Sequence, residues 1–119
     1  MSPSPEIVVI LSTVPQEKSE AMARALLDKR LVACINTLPV RSFYHWKGEF
    51  CDEPEHLLIM KTAREKAEEV IAAIQEMHPY DVPEIIAIPV IAGHAPYLEW
   101  VHEETQSMMP KSRTQGKEV

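Results

Sequence analysis

The stretch Ile7–Val8–Val9–Ile10–Leu11–Ser12, near the start of a chain of 119 residues, holds five consecutive apolar residues and ends on a serine. Apolar side chains occupy both its odd and its even positions, which is typical of a strand buried on both faces. A second run of this kind, Ile85–Ile88, lies near the other end of the chain. The sheet that contains these two strands therefore needs cover on both of its faces.

Hydrophobic periodicity and turn residues predict the remaining elements. Thr13 is predicted to cap a first helix that has Pro15 in its first turn, and Pro39 is tolerated only at an edge strand or a bulge. The predicted elements are a strand Ile7–Ser12, a helix ending near Lys29 or Arg30, strand segments Leu31–Asn36 and Val40–Trp46, a turn at Lys47–Glu49, a strand Leu57–Thr62, a helix Arg64–Met77, a strand Glu84–Ile91 and a short helix from His94.

The order β-α-β-β-α-β-α predicts an α+β fold of the ferredoxin-like split βαβ type, with one antiparallel sheet and an added C-terminal helix. Helices stacked on one face leave the other face of the sheet bare, although its strands are apolar on both sides. We therefore expect a homo-oligomer built through the sheets. Residues 1–5 are predicted to be a flexible leader, residues 6–106 the single domain and residues 107–119 a flexible tail.

Composition disfavours several classes of function. The chain has 12 Lys and Arg against 18 Asp and Glu, a net charge of -6 that would repel a phosphate backbone, so we expect no nucleic-acid partner. Its apolar runs are far shorter than the roughly 20 residues that span a bilayer, and no signal peptide is recognisable. We expect a cytoplasmic protein without a membrane partner. With only 3 glycines, the sequence has no Gly-rich phosphate-binding loop.

Five short segments, in this order and at comparable spacing, resemble the CutA divalent-cation tolerance family. They are Ala33–Cys34–Ile35–Asn36, Tyr44–His45–Trp46–Lys47–Gly48, Lys61–Thr62, His78–Pro79–Tyr80–Asp81–Val82–Pro83–Glu84–Ile85 and Tyr97–Leu98–Glu99–Trp100. The resemblance implies a ferredoxin-like subunit in a tight homotrimer, in which long hairpins between the second and third strands reach across subunits. It also implies a tolerance role and the binding of copper or another divalent metal.

The family's metal pattern is a Cys at the end of the first strand and two adjacent residues, often His-His, before Pro-Tyr. These positions fall on Ser12, Met77 and His78. Only His78 keeps its ligand type, while Met77 offers Cu(I) a thioether and Ser12 is a poor ligand for a soft metal. On the alternative interpretation, Met77 ends the apolar stripe of its helix and His78 caps the helix C-terminus. The resemblance therefore implies weak metal binding that depends on His78.

A second candidate site is a cleft between subunits, a favoured place for small ligands. Its candidate residues are Lys61, Tyr44, Trp46, Tyr80, Glu84 and Trp100. The aromatic residues have packing as their simpler role.

The leading hypothesis is a non-enzymatic homotrimer that binds copper or another divalent metal in a tolerance or homeostasis role. The alternative is a signalling or assembly trimer, similar in shape to the PII-type signal proteins, whose cleft holds a small anionic metabolite through Lys61, Arg64 and the aromatic rings. Catalysis is not expected, because the sequence has no Ser-His-Asp signature and no His-Glu-x-x-His motif.

Overall fold

The computed structural model describes residues 4–106, so the predicted tail 107–119 and the first three residues of the predicted leader lie outside it. Four strands, three helices and one 3-10 turn follow one another along the chain. They are β1 (Ile7–Val14), α1 (Gln16–Asp28), β2 (Cys34–Trp46), β3 (Glu49–Ala63), the 3-10 turn Arg64–Lys66, α2 (Ala67–Met77), β4 (Ile85–Pro89) and α3 (Ala95–Glu104).

The four strands form one sheet in the order β2-β3-β1-β4, and every neighbouring pair is antiparallel. This arrangement confirms the predicted α+β class with a single antiparallel sheet. In the register of β1, Ile10 lies opposite Met60 of β3 and Ala87 of β4. Even-numbered residues of β1 therefore point to one face of the sheet and odd-numbered residues to the other.

One face of the sheet carries the main core, beneath α1 and α2. Ile10 and Met60 of the sheet, Leu26 of α1 and Ile74 of α2 are all fully buried in this core. The apolar stripe predicted on the second helix faces this core, because Val70 and Ile74 are the buried residues of α2. The even-numbered side chains of β1 are thus buried by helices of the same chain.

The other face of the sheet is covered only at one end, where α3 packs Leu98 and Val101 against Ile7. The rest of this face, which we call the open face, is apolar and partly accessible, with Ile86 and Ile88 of β4 still 47% and 44% exposed. Its residues are Val9, Leu11, Thr13, Cys34, Asn36, Leu38, Leu57, Ile59, Lys61, Ile86 and Ile88. No segment within residues 4–106 covers it.

Beyond the four-stranded part, β2 and β3 continue as a two-stranded hairpin. The last pair between β1 and β3 is Val14 with His56, whereas β2 and β3 stay paired as far as Trp46 and Glu49. Lys47 and Gly48 make the connection with φ angles of 51° and 82°. Two positive φ angles are what a two-residue type I′ turn requires. The hairpin lengthens the molecule to 53 Å along its major axis.

Several predicted boundaries are wrong in informative ways. Thr13 does not cap the first helix, because β1 stays paired with β3 through Val14 and the helix begins only after Pro15. The two segments of β2 are one strand that runs through Pro39, which is tolerated because β2 is an edge strand. Residues 64–66 form a 3-10 turn before α2.

None of the described helices is long and apolar enough to cross a membrane.

Candidate functional site

A cleft of about 620 Å³ lies between the β2–β3 hairpin and the loop that joins α2 to β4. It is on the same side of the sheet as the open face, because Ser42, Tyr44 and Trp46 continue the alternation that begins at Cys34 and Asn36. Aromatic and acidic residues make up most of its lining, which consists of Thr13, Ser42, Phe43, Tyr44, Trp46, Glu53, Glu55, Tyr80, Asp81, Val82 and Glu84.

A hydrogen bond joins the two sides of the cleft. The Tyr80 hydroxyl, from the loop, donates to Glu55 Oε2, from the hairpin, at 2.6 Å. Glu55 is only 5% exposed, and no Lys, Arg or His within residues 4–106 forms an ion pair with it. A buried carboxylate needs hydrogen-bond donors or a counter-charge to offset its desolvation, so Glu55 depends on Tyr80.

The cleft has a negative electrostatic character. Four carboxylates line it, from Glu53, Glu55, Asp81 and Glu84, and no basic side chain is among its lining residues. Burial raises the pKa of the Tyr44 hydroxyl, and neighbouring groups that include Glu53 and Glu55 raise it further. Burial, the hydrogen bond to Glu55 and the charge of that carboxylate likewise raise the pKa of Tyr80. Both phenols therefore stay neutral donors at physiological pH.

Tyr80→Phe is expected to lower the free energy of unfolding by about 1–2 kcal/mol at pH 7, because the Glu55 carboxylate loses its donor in a partly screened site. The folded-state pKa of Tyr80 is raised, so its stabilising effect is present below the ordinary tyrosine pKa of about 10 and is lost as pH rises above it. Urea unfolding of both proteins between pH 7 and 11 measures this. A difference that grows above pH 10 would contradict it.

His78 follows α2 and is held by both of its ring nitrogens. Nε2 lies 2.9 Å from the Thr13 carbonyl oxygen, and Nδ1 lies 3.2 Å from the backbone nitrogen of Tyr80. The two contacts fit a neutral ring that donates from Nε2 and accepts at Nδ1. The ring also packs 4.7 Å from that of Tyr80. His78 thus ties the loop of the cleft to the end of β1, and ligation of a metal would require it to release one hydrogen bond.

The other two residues of the predicted metal set differ in their surroundings. Ser12 is fully buried on the core face of β1, and its Oγ has no hydrogen-bond partner among the described residues. Met77 packs against the main core at the end of α2. Within residues 4–106, no three His, Cys, Asp or Glu side chains cluster closely enough to hold a metal ion. Metal binding through His78, Met77 and Ser12 stays a prediction.

The six residues of the predicted cleft fall into two groups. Tyr44, Trp46, Tyr80 and Glu84 line the same cleft, whereas Lys61 and Trp100 do not. Lys61 lies on the open face beside Cys34 and hydrogen-bonds Asn36 Oδ1.

Near Lys61, burial and the adjacent Cys34 thiol raise the pKa of Tyr97, whose ring lies 5.7 Å from that of Trp100. Arg64, which the anionic-ligand hypothesis also invoked, pairs with Glu6 instead. The cleft is lined by four carboxylates, and neither Lys61 nor Arg64 is among its lining residues. It therefore does not favour an anionic ligand, because like charges repel.

Glu53 and Glu55 are cleft residues that the sequence interpretation did not include. A signal for them exists in the hairpin register. If Lys47 and Gly48 are the two turn residues, Tyr44 pairs with Cys51, and Glu53 and Glu55 then follow Cys51 on the same face. A two-residue turn at Lys47 and Gly48, in place of the predicted turn Lys47–Glu49, would have placed both acids on the same face as Tyr44.

The chain has clear relatives among known proteins. Residues 7–104 match the family model of the CutA1 divalent ion tolerance protein. The divalent-cation tolerance protein CutA of Thermus thermophilus is 40% identical over 99 residues, which are 82% of this chain and 96% of that protein. Protein CutA of Mus musculus is 42% identical over 98 residues, which are 81% of this chain but only 55% of the mouse protein.

The fold has relatives among solved structures as well. The PII-like protein CutA from Nostoc sp. PCC 7120, in its apo form, superposes with a TM-score of 0.81 at 40% identity, over 83% of this chain and 97% of that one. The four-stranded antiparallel sheet and its helices are thus an arrangement that this relative shares. Since the family model extends from the first residue of β1 to the last residue of α3, this chain belongs to the CutA1 divalent ion tolerance family.

Proposed function

We propose that this protein is a non-enzymatic homotrimer that acts in divalent-cation tolerance and binds copper or another divalent cation weakly. Membership of the CutA1 divalent ion tolerance family, over residues 7–104, is the observation that carries the proposal. The names of the relatives describe tolerance proteins and not enzymes.

The open face supports assembly through the sheets. Leu11, Ile59 and Ile86 lie side by side across three strands, because Leu11 is paired with both of the others. A contiguous, partly accessible apolar surface on a sheet is typical of a protein–protein interaction site. A second copy of the chain, which carries the same surface, is the occupant that we propose, and trimerisation would bury the face.

The expected weakness of metal binding follows from the surroundings of His78. A metal at Nδ1 would displace the backbone N–H of Tyr80, and a metal at Nε2 would displace the bond to the Thr13 carbonyl. Each displacement leaves a polar group to be satisfied again, at a cost of about 1–3 kcal/mol. The Met77 thioether suits Cu(I) better than Cu(II), so we expect Cu(I) to bind more tightly.

A calorimetric titration of metal-stripped protein with Cu(I) and with Cu(II) tests this role. We expect saturable binding at one site per subunit or one per trimer, with at least tenfold loss of affinity in His78→Ala. His94→Ala is the matched control, since His94 is an exposed histidine at the start of α3. Light scattering on the same samples gives the oligomeric state.

His78→Ala and His94→Ala distinguish a specific role of His78 from metal binding elsewhere in the protein. Equal affinity in the wild-type protein and His78→Ala would overturn the role of His78 while leaving metal binding intact. A trimer that binds neither copper ion nor another divalent cation would overturn the metal-binding role. Because His78 also holds the loop of the cleft, circular dichroism must show that His78→Ala is folded before its affinity is compared.

A further inference from the structure

We propose that the two ends of the open face carry complementary charges that orient one copy of the chain on the next, with Lys61 of one copy paired to a carboxylate, Glu53 or Glu84, of its neighbour. This inference rests on the proposed trimer and deepens it, because it names the residues that meet between copies. The occupant of the open face is a second copy of this chain.

The side chains that β3 directs to this side of the sheet change in charge along the strand. Because side chains alternate along a strand, this row is Glu53, Glu55, Leu57, Ile59 and Lys61. The acidic end lies in the hairpin, beyond the last pair between β1 and β3. Strand β4 repeats the pattern, because Glu84 lines the cleft beside the hairpin, whereas Ile88 lies level with Lys61 through their common partner Val9.

Lys61 is the only cation of the open face, and no carboxylate within residues 4–106 forms an ion pair with it. Its ammonium group donates to Asn36 Oδ1, a neutral acceptor. The first acid of its own row, Glu55, is six residues away along β3, a distance of about 20 Å in an extended strand. Burying an ammonium group without a counter-charge is costly. An interface made by the open face therefore needs a carboxylate that another copy brings to Lys61.

The carboxylates at the hairpin end are in the complementary state. Glu53 and Glu84 are exposed, and neither forms an ion pair within residues 4–106. Glu55 already accepts a hydrogen bond from Tyr80, so Glu53 and Glu84 are the carboxylates available to a neighbour. No basic side chain lines the cleft with them.

These charges select one orientation of the neighbouring copy. When the acidic end of one copy faces the basic end of the next, Lys61 meets a carboxylate, whereas contact between like ends brings equal charges together. The apolar residues between the ends supply buried area in either orientation. In a ring of three, each subunit gives its Lys61 to one neighbour and receives the Lys61 of the other at Glu53 or Glu84, as a head-to-tail contact requires.

Charge reversal in the full-length protein tests the pairing, with light scattering over a dilution series as the measurement. Urea, which is uncharged and does not screen ion pairs, brings the dissociation of the wild-type trimer into the measured range. Lys61→Glu should raise the concentration at which the trimer dissociates at least tenfold. Adding Glu53→Lys or Glu84→Lys to that variant should reverse most of this rise in at least one of the two combinations, because the pair again has opposite charges.

Two controls match these variants in net charge. Lys18→Glu changes an exposed lysine of α1, on the helix side of the sheet, and should leave dissociation unchanged. Lys61→Glu combined with Glu68→Lys, at an exposed position of α2, should dissociate as readily as Lys61→Glu alone. Circular dichroism verifies that each variant is folded. If Lys61→Glu does not fold, the variant with both Glu53→Lys and Glu84→Lys gives the same test from the acidic end and should also dissociate more readily.

The oligomeric state of the wild-type protein separates this inference from the proposed function. A monomeric wild-type protein would overturn the trimer and this inference with it. A trimeric wild type would leave the proposed trimer standing, and unchanged dissociation in folded Lys61→Glu would then overturn this inference alone. The same holds if neither reversed pair recovers more than the Glu68→Lys control.

Discussion

Leu11→Glu is expected to convert the proposed trimer into monomers. Leu11 lies in the middle of the open face, between Ile59 of β3 and Ile86 of β4. A glutamate there would place an unpaired carboxylate within the proposed interface of every subunit, and burying such a charge costs several kcal/mol. Association weakens about tenfold for each 1.4 kcal/mol. Light scattering at micromolar concentration should therefore report a mass near that of one chain, 13.5 kDa.

Leu27→Glu is the control for this experiment. It makes the same chemical change at a leucine that is 41% exposed on α1, on the opposite side of the sheet from the open face. It should leave the oligomeric state of the protein unchanged. If Leu11→Glu stays a trimer while folded, the sheets are not the interface, and the hairpins must hold the subunits together instead.

Leu26→Ala should have the largest effect on stability, a loss of about 2–5 kcal/mol in the free energy of unfolding. Leu26 is fully buried in the main core, where α1 packs against the sheet and α2. Truncation removes apolar contacts and leaves a cavity that closely packed neighbours fill only in part. Guanidinium unfolding at one fixed protein concentration measures the loss, because the stability of an oligomer depends on concentration.

The neighbouring residue supplies the comparison. Leu27→Ala makes the same truncation one position along the chain, where the side chain is 41% exposed, and should change the free energy of unfolding by no more than about 0.5 kcal/mol. Similar losses in the two variants would contradict the burial pattern of α1. The pair thus tests the orientation of the helix separately from its helical propensity, which is the same for both substitutions.

Most of the fold could be predicted from local pattern. The apolar run of β1 and the stripe of α2, with Val70 and Ile74 as its buried residues, predicted their elements correctly. The ends of the strands were harder to predict. β3 begins at Glu49, well before the predicted Leu57, because pairing with β2 continues through polar residues. Strand pairing depends on a partner that is distant in sequence, so hydrophobic alternation underestimates it.

The candidate site could be predicted only in part, since its residues come from separate elements. Tyr44, Trp46, Tyr80 and Glu84 were expected in a cleft between subunits, and within one subunit they line one cleft. A contribution of a neighbouring subunit to that cleft stays a prediction. Lys61 was expected beside them but lies with Cys34 and Asn36 on the open face. Lys61 lies in the four-stranded part of the sheet, whereas the cleft lies beside the part of the hairpin that extends beyond β1.

The sequence by itself determined the order of the elements, the single antiparallel sheet and the apolar character of both sheet faces. These features follow from periodicity and turn chemistry, which act over a few neighbouring residues. Only the tertiary structure decided that Glu55 is buried against Tyr80 and that both ring nitrogens of His78 are engaged. Burial and hydrogen-bond partners depend on segments brought together by folding, here the hairpin, the end of β1 and the α2–β4 loop. The chemistry of a carboxylate or an imidazole is set by those partners.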